Sequence, residues 1–137
     1  MISEERIREI FKKTNVLQEG HFILSSGKHA EKYLQCAQVL QYPKYANELA
    51  EGMAELWKDS EVEVVIGPAL GGIVISYAVG QALETRAIFT ERKEGEMKLR
   101  RSFDIDPGEK VLLVEDVVTT GGSVKEVIEV LENNKAE

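Results

Sequence analysis

A short apolar run, two acids and a glycine-rich turn follow one another in residues 110–123, and this order constrains the fold more than any other stretch. The continuous apolar run 111–114 is typical of a strand buried on both faces of a parallel sheet. Glu115 and Asp116, the acidic pair, stand where that strand should end, and a helical pattern follows. Open α/β sheets bind ligands outside the carboxyl ends of their strands. The sequence therefore predicts a strand–turn–helix unit with a ligand at its junction.

The residue types at this junction indicate a phosphorylated sugar. The run Thr-Thr-Gly-Gly-Ser at 119–123, here called the threonine turn, would offer backbone N–H groups and a helix N-terminus to a phosphate. The acidic pair suits hydroxyls or a metal-coordinated sugar, so one sugar phosphate could satisfy both halves. Neither GxxxxGK[ST] nor GxGxxG occurs at this position. A strand–turn–helix corner of an ordinary α/β protein, without a ligand, is the alternative.

Two further strand–helix units precede this one. Strands are predicted at 62–66 and 87–90, and helices at about 43–57 and 73–84. Between the first strand and its helix lies a second glycine-rich segment, 67–72, called the glycine turn, which also offers N–H groups to an anion. The three units imply an α/β fold in which a parallel sheet with right-handed crossovers carries helices on both faces.

The N-terminal part is predicted to be a helix followed by a small hairpin or a pair of extended segments. Ser3 can cap the helix, and the hairpin falls within 20–36. Leu56 and Trp57 are predicted to pack into the core at the end of the 43–57 helix. His21 and His29 lack the carboxylate or cysteine spacing of a metal site, and a surface or structural role is favoured for both.

The polar segment 92–103, here called the arm, concentrates positive charge in an acidic chain. Its five cations are Arg92, Lys93, Lys98, Arg100 and Arg101. One hypothesis is a mobile lid that folds onto a polyphosphate and excludes water from a reactive sugar cation. The alternative is a solvated β-hairpin.

Charge and cysteine content bound the partners and the compartment. A net charge of −7 argues against broad binding to nucleic acid or anionic membranes. Cys36 is the only cysteine, so no intrachain disulfide can form and the cytoplasm is the expected location. No run of 18 apolar residues occurs, and we expect a soluble chain that is not exported.

Residues 110–123 closely resemble the phosphoribosyl-diphosphate (PRPP) signature of type I phosphoribosyltransferases. The string Phe-Ile-Leu-Ser-Ser-Gly-Lys at 22–28, followed by Tyr33, resembles the hood segment of orotate phosphoribosyltransferases. The resemblance covers roughly 2–134 and implies the type I phosphoribosyltransferase fold, a parallel sheet flanked by helices with a small N-terminal hood. It implies one domain, 1–137, with the N-terminal helix and hood in 1–40 and the PRPP-binding core in 41–137. The family continues with further strands, one carrying an Arg for the orotate carboxylate, and this chain lacks them.

The resemblance implies transfer of the 5-phosphoribosyl group from PRPP to orotate, giving orotidine 5′-monophosphate and pyrophosphate in pyrimidine (UMP) biosynthesis. Magnesium would ride on the PRPP oxygens, without direct protein ligands. The implied catalytic residues are Glu115, Asp116 and Lys98. Orotate would meet Thr119, Tyr33 and Lys28. The implied PRPP-binding residues are Gly71, Gly72, Arg92, Lys93, Lys98, Glu115, Asp116, Val117, Val118, Thr119, Thr120, Gly121, Gly122 and Ser123.

The resemblance also implies a homodimer in which the arm reaches into the neighbouring site. Three positions depart from a pattern common in the family, since many members carry Lys at the positions of Ser25, Gly71 and Glu96. Two alternatives stay open. One is another PRPP-dependent transferase, for purine bases or uracil, and the other is a non-catalytic PRPP-sensing regulator.

Overall fold

The computed structural model of the chain describes residues 2–23, 27–118 and 121–137. The elements are α1 Glu4–Thr14, β1 Leu17–Ile23, β2 His29–Leu34, α2 Ala37–Leu40, α3 Pro43–Glu55, β3 Val64–Pro68, α4 Gly71–Leu83, β4 Arg86–Lys93, β5 Glu96–Leu99, β6 Val111–Leu113 and α5 Gly122–Asn133. In the part of the chain that the structure describes, three strand–helix or strand–turn units follow the hairpin, with β5 inserted after β4.

Four strands form the central sheet in the order β5-β4-β3-β6. Strand β3 is parallel to both β4 and β6, which confirms the parallel core, while β5 pairs antiparallel with β4 and makes the sheet mixed. Successive residues of β3 face opposite sides because side chains alternate along a strand. Val65 packs with α3 and α4, whereas Val64 and Ile66 pack with Val127 of α5. Helices therefore cover both faces, as expected.

The N-terminal helix and hairpin form a separate layer. The Ser3 hydroxyl accepts a hydrogen bond from the Arg6 N–H at 3.1 Å, which confirms the cap. Strands β1 and β2 pair antiparallel in their own two-stranded sheet, confirming the hairpin, here called the hood. Its base is anchored where buried Cys36 and Val39 form a cluster against which Val117 packs. The hood is thus tied to the chain directly after the acidic pair.

The prediction that Leu56 and Trp57 pack in the core is wrong. Helix α3 ends at Glu55, and Leu56 and Trp57 are 65% and 45% exposed. The chain leaves the helix through turns in which the Trp57 N–H bonds to the Ala54 carbonyl. The last two members of the predicted apolar stripe therefore lie beyond the end of the helix.

The arm has the hairpin structure that was the alternative to a mobile lid. Strand β4 extends past Thr90, where the prediction ended it, and pairs with β5 from Thr90↔Leu99 to Lys93↔Glu96. Glu94 and Gly95 take positive φ values of 54° and 83° at the turn, the backbone of a tight hairpin. Within the described ranges, no helix has the length and apolar character needed to cross a bilayer.

Candidate functional site

The acidic pair and the glycine turn meet at the carboxyl ends of β6 and β3. A Cβ atom added to Gly71 would lie 2.7 Å from Asp116 Oδ2, and one added to Gly72 would lie 3.1 Å from Glu115 Oε1. Both distances are shorter than ordinary van der Waals contact. Glycine at these two positions therefore lets the turn approach the carboxylates, and two motifs predicted separately form one surface.

Gly67 has a role that sequence reasoning missed. A Cβ atom at this position would lie 2.5 Å from the Gly72 carbonyl oxygen and 2.8 Å from that of Val114. Glycine at the end of a fully buried strand often marks a close approach of another backbone, and that signal could have identified it. Gly67 allows the glycine turn to fold back over the end of its own strand.

The acidic pair is partly withdrawn from water. Glu115 Oε1 accepts a hydrogen bond from the Asp116 N–H at 3.0 Å, and Asp116 Oδ1 accepts one from the Val117 N–H at 2.8 Å. Both acids line one end of a cavity of about 420 Å³ whose other walls are mostly apolar, including Phe11 and Met53. Burial, with a hydrogen bond to the neighbouring Asp116, raises the pKa of Glu115 to about 7. This carboxyl can therefore gain or lose a proton near neutral pH.

Cys36 links the base of the hood to the acidic pair. Its thiol lies 3.7 Å from the Asp116 carbonyl oxygen, to which it donates a weak hydrogen bond. Burial, helped by the Asp116 charge, raises the pKa of the Cys36 thiol and keeps it protonated. Nothing in the local sequence marks this contact, because the two residues are 80 positions apart.

The threonine turn is described in part. Gly121 has φ 79° and precedes α5, whose first residues are Gly122 and Ser123, and among the described residues no side chain caps this helix. Its N-terminus therefore keeps backbone donors for a ligand. Thr119 and Thr120 lie outside the described residues, as does Ser25. Of the two apolar residues in the PRPP signature, Val117 packs with the hood base and Val118 is 62% exposed.

Four of the arm's five cations are paired with carboxylates of the same chain. Arg92 makes two hydrogen bonds to Glu126 of α5, at 2.5 and 2.7 Å. Arg100 and Arg101 both bond to Glu91, and Lys98 lies 3.4 Å from Glu96. Sequence reasoning missed Glu91 and Glu126 as partners. The Arg92 guanidinium holds the pKa of Glu126 below its usual range. Lys93 lies at the hairpin end, opposite Glu96.

The residues assigned to orotate lie on or beside the hood. The Tyr33 ring packs on Phe22 with ring centroids 5.6 Å apart, and Tyr33 is 39% exposed. Lys28 directly precedes β2. Tyr33 belongs to the two-stranded sheet and Lys28 adjoins it, whereas the acidic pair follows a strand of the central sheet. Their role stays a prediction.

Comparison with known proteins supports the resemblance to phosphoribosyltransferases over most of the chain. The phosphoribosyl transferase domain family matches residues 35–137. An orotate phosphoribosyltransferase of Caldicellulosiruptor saccharolyticus is 56% identical over 136 residues, covering 99% of this chain and 71% of the relative. One from Thermotoga maritima is 58% identical over 125 residues, covering 91% of this chain and 67% of the relative. The chain thus spans about 70% of the length of these relatives.

Solved structures of phosphoribosyltransferases that are named for different bases have the same fold as this chain. Orotate phosphoribosyltransferase from Aeropyrum pernix superposes with a TM-score of 0.74 at 24% identity, covering 95% of this chain and 75% of that one. Adenine phosphoribosyl transferase from Trypanosoma brucei superposes with 0.72 at 14% identity, covering 99% and 66%. The fold alone therefore leaves the base undecided, and the sequence identity carries that distinction.

Proposed function

This chain belongs to the orotate phosphoribosyltransferase family, and from that premise we propose how its residues divide the work of the reaction. The reaction transfers the 5-phosphoribosyl group of PRPP to orotate and yields orotidine 5′-monophosphate and pyrophosphate, a step of pyrimidine biosynthesis. The observation that carries the proposal is the joint surface on which Gly71 and Gly72 lie against Asp116 and Glu115. It places a turn suited to phosphates beside two groups suited to sugar hydroxyls.

The acidic pair would hold the ribose. Its carboxylates accept hydrogen bonds from the 2′- and 3′-hydroxyls and face the positive charge that develops on the ring as the pyrophosphate leaves. The 5′-phosphate would bind the threonine turn and the first N–H groups of α5. The displacement needs no protein nucleophile, so positioning and charge stabilisation account for the catalysis.

The pyrophosphate would lie between the glycine turn and the arm. Gly71 and Gly72 leave space for oxygen atoms close to the backbone, and Arg92, Lys93 and Lys98 supply positive charge from the arm. Lys98 is 46% exposed and is held by Glu96 at 3.4 Å, a weak surface pair that a phosphate can replace. We assign Lys98 to stabilising the leaving pyrophosphate.

Magnesium fits this site as a companion of PRPP. Magnesium prefers oxygen ligands and keeps bonds to water and phosphate, and the acidic pair presents carboxylate oxygens beside the ribose hydroxyls that would share the ion. Bound there, the ion would neutralise charge on the pyrophosphate. Glu115 would lose its proton as these positive charges arrive, because each favours the ionised carboxylate.

The hood would cover the base. In this proposal, residues 1–40 form the N-terminal helix and hood, and 41–137 form the PRPP-binding core. Tyr33, Lys28 and Thr119 would face orotate. The anchoring of Cys36 and Val39 beside Val117 supports this arrangement, since it fixes the hood base next to the acidic pair. A cytoplasmic location remains the expectation from the single cysteine.

A homodimer sharing the arm is part of the proposal. Leu70, Val74 and Tyr77 form a stripe at the start of α4 that is 84%, 48% and 68% exposed. Large apolar side chains grouped on one helix face are typical of an interface. Because α4 begins at the glycine turn, a partner on this stripe would bring a second arm near the site. Sedimentation that shows a fully active monomer would contradict this part.

The test is the loss of orotate absorbance in the presence of PRPP and magnesium. Uracil, hypoxanthine and adenine serve as control bases. We expect turnover with orotate and with none of the control bases, and we expect no turnover when magnesium is removed. Turnover with another base and not orotate would overturn the specificity, and binding of PRPP without consumption of any base would indicate a sensor.

A further inference from the structure

Arg92 and Glu126 connect the arm to the helix that follows the threonine turn. Arg92 Nη1 and Nη2 each donate to one oxygen of the Glu126 carboxylate, at 2.5 and 2.7 Å. Glu126 lies about one turn into α5, whose N-terminus is the proposed phosphate site. The two residues are 34 positions apart. Their contact therefore depends on the fold and fixes the end of β4 against α5.

The geometry of the pair leaves the guanidinium able to bind a ligand. An arginine carries five N–H donors in a planar fork. The carboxylate takes one from each Nη atom, so the Nε–H and one further hydrogen on each Nη atom remain. The Arg92 side chain is 46% exposed and that of Glu126 36% exposed, so the pair lies at the surface, where a ligand can approach. A phosphate can bind the free edge while Glu126 keeps its own.

The other arginines of the arm are held differently. Arg100 and Arg101 both bond to Glu91, a side chain only 15% exposed, and Arg101 also lies over the Phe89 ring at 5.6 Å from its centroid. These contacts tie the two strands of the arm together. Of the arm's ion pairs within the described ranges, the one of Arg92 reaches α5. Arg92 thus differs from its neighbours because its carboxylate partner lies on α5, the helix whose N-terminus is the proposed phosphate site.

We propose that Glu126 is a positioning residue for the transferase reaction: it orients Arg92 so that the free edge of the guanidinium meets the pyrophosphate group of PRPP. This rests on the proposed function, which places pyrophosphate beside the arm. Glu126 does not touch the substrate and acts through Arg92. A long flexible side chain that is already held loses less conformational freedom when a ligand binds.

The test compares two variants of α5 that change the net charge equally. Glu126→Gln keeps the shape of the side chain but weakens the paired contact, while Glu129→Gln removes a charge from an exposed residue of the same helix. Affinity for magnesium pyrophosphate is measured by titration calorimetry, and KM for PRPP and for orotate by rates. We expect Glu126→Gln to weaken pyrophosphate binding and raise KM for PRPP by roughly three- to ten-fold, the cost of immobilising one flexible side chain. KM for orotate and all values for Glu129→Gln should stay unchanged.

The opposite result has a distinct meaning. If Glu126 competes with pyrophosphate for Arg92, Glu126→Gln will bind pyrophosphate more tightly than the original protein, and the proposal is overturned. It is also overturned if both Gln variants behave alike. A double variant completes the test, since Glu126→Gln should add nothing once Arg92→Ala is present.

The calorimetric measurement separates this inference from the proposed function. If the protein binds pyrophosphate in a Glu126-dependent manner but consumes no orotate, the transferase function fails and the positioning role of Glu126 stands for pyrophosphate alone. If orotate is consumed at rates that Glu126→Gln leaves unaltered, the function stands and the role of Glu126 is rejected.

Discussion

The acidic pair and the arm carry opposite charges and are built in opposite ways. The carboxylates of Glu115 and Asp116 are held by backbone N–H groups, line an apolar cavity and lie against glycines with no space for a Cβ atom. The cations of the arm are long, largely exposed side chains held by other side chains. The first region is fixed before a ligand arrives, whereas the exposed ion pairs of the second, apart from the Arg92–Glu126 pair, can exchange partners. If the proposed roles hold, the ribose would meet groups set by packing and the pyrophosphate would meet mostly exposed side-chain charge.

The largest effect on the reaction rate should come from removing a charge of the acidic pair. Asp116→Asn preserves shape but takes away a carboxylate that, in the proposed mechanism, would face the developing cation, and we expect the rate of orotate consumption to fall by roughly 10²–10³-fold. Asp104→Asn, at an exposed acid, is the matched control and should retain full rate. A loss under ten-fold for Asp116→Asn would show that the acidic pair is less central than the geometry indicates.

Adding one methyl group to the glycine turn should have the next largest effect. The Cβ of Gly71→Ala would lie 2.7 Å from Asp116 Oδ2, so the carboxylate must move, and KM for PRPP should rise by roughly 10- to 50-fold. In an Asp116→Ala background the same change has no carboxylate to displace and should cost little more. Equal losses in both backgrounds would mean that the glycine serves the backbone alone.

The pH dependence tests how deeply the acidic pair is withdrawn from water. The folded-state pKa of Glu115, about 7, lies above the ordinary glutamate value of about 4.3, so the native state holds this proton more tightly than the unfolded chain does. Stability without ligand should therefore fall as pH rises from about 4 to about 7, and affinity for magnesium PRPP should rise through about pH 7. Glu115→Gln should flatten both trends, as thermal melts from about pH 4 to about pH 8 and KM from about pH 5.5 to about pH 8.5 would reveal. Unchanged profiles would remove Glu115 as their source.

The smallest effect is expected where charges can exchange partners. Glu91→Gln releases Arg100 and Arg101 from one carboxylate, and the arm should be cut by trypsin roughly two- to five-fold faster while the global melting temperature shifts little. Pyrophosphate should slow that cleavage if the arm closes on it. Glu94→Gln, at the exposed hairpin turn, is the control. A large loss of thermal stability would mean that the arm is as fixed as the acidic pair.

Features encoded in neighbouring residues were accessible from the sequence. The apolar run, the acids and the glycines of 110–123 lie side by side, so their order predicted β6, the acidic pair and α5 correctly. The parallel core followed from the same local patterns, the hairpin from turn residues at 25–28 between two extended segments, and the name hood from the family resemblance. Helix α3 ended before Leu56 because the termination of a helix depends on turns that the apolar period does not report.

Contacts between distant residues could not be predicted in this way. The fit of Gly71 against Asp116, the bond from Cys36 to the Asp116 carbonyl and the pairing of Arg92 with Glu126 each join separate elements. Glycine and glutamate are common in turns and on helix surfaces, and nothing local distinguishes these from others. The roles of Thr119 and Thr120 stay predictions.

The close approach of Asp116 to Gly71 restricts which substitutions the site can accept during evolution. A residue larger than glycine at position 71 would displace Asp116, which lies far along the chain. A substitution at one of these two positions therefore impairs the protein unless the other position changes with it. A relative with a larger residue at this position would need another backbone path in the glycine turn or a shifted acid. Recombinants that exchange the glycine turn between this chain and such a relative should work only when the acidic pair travels with it.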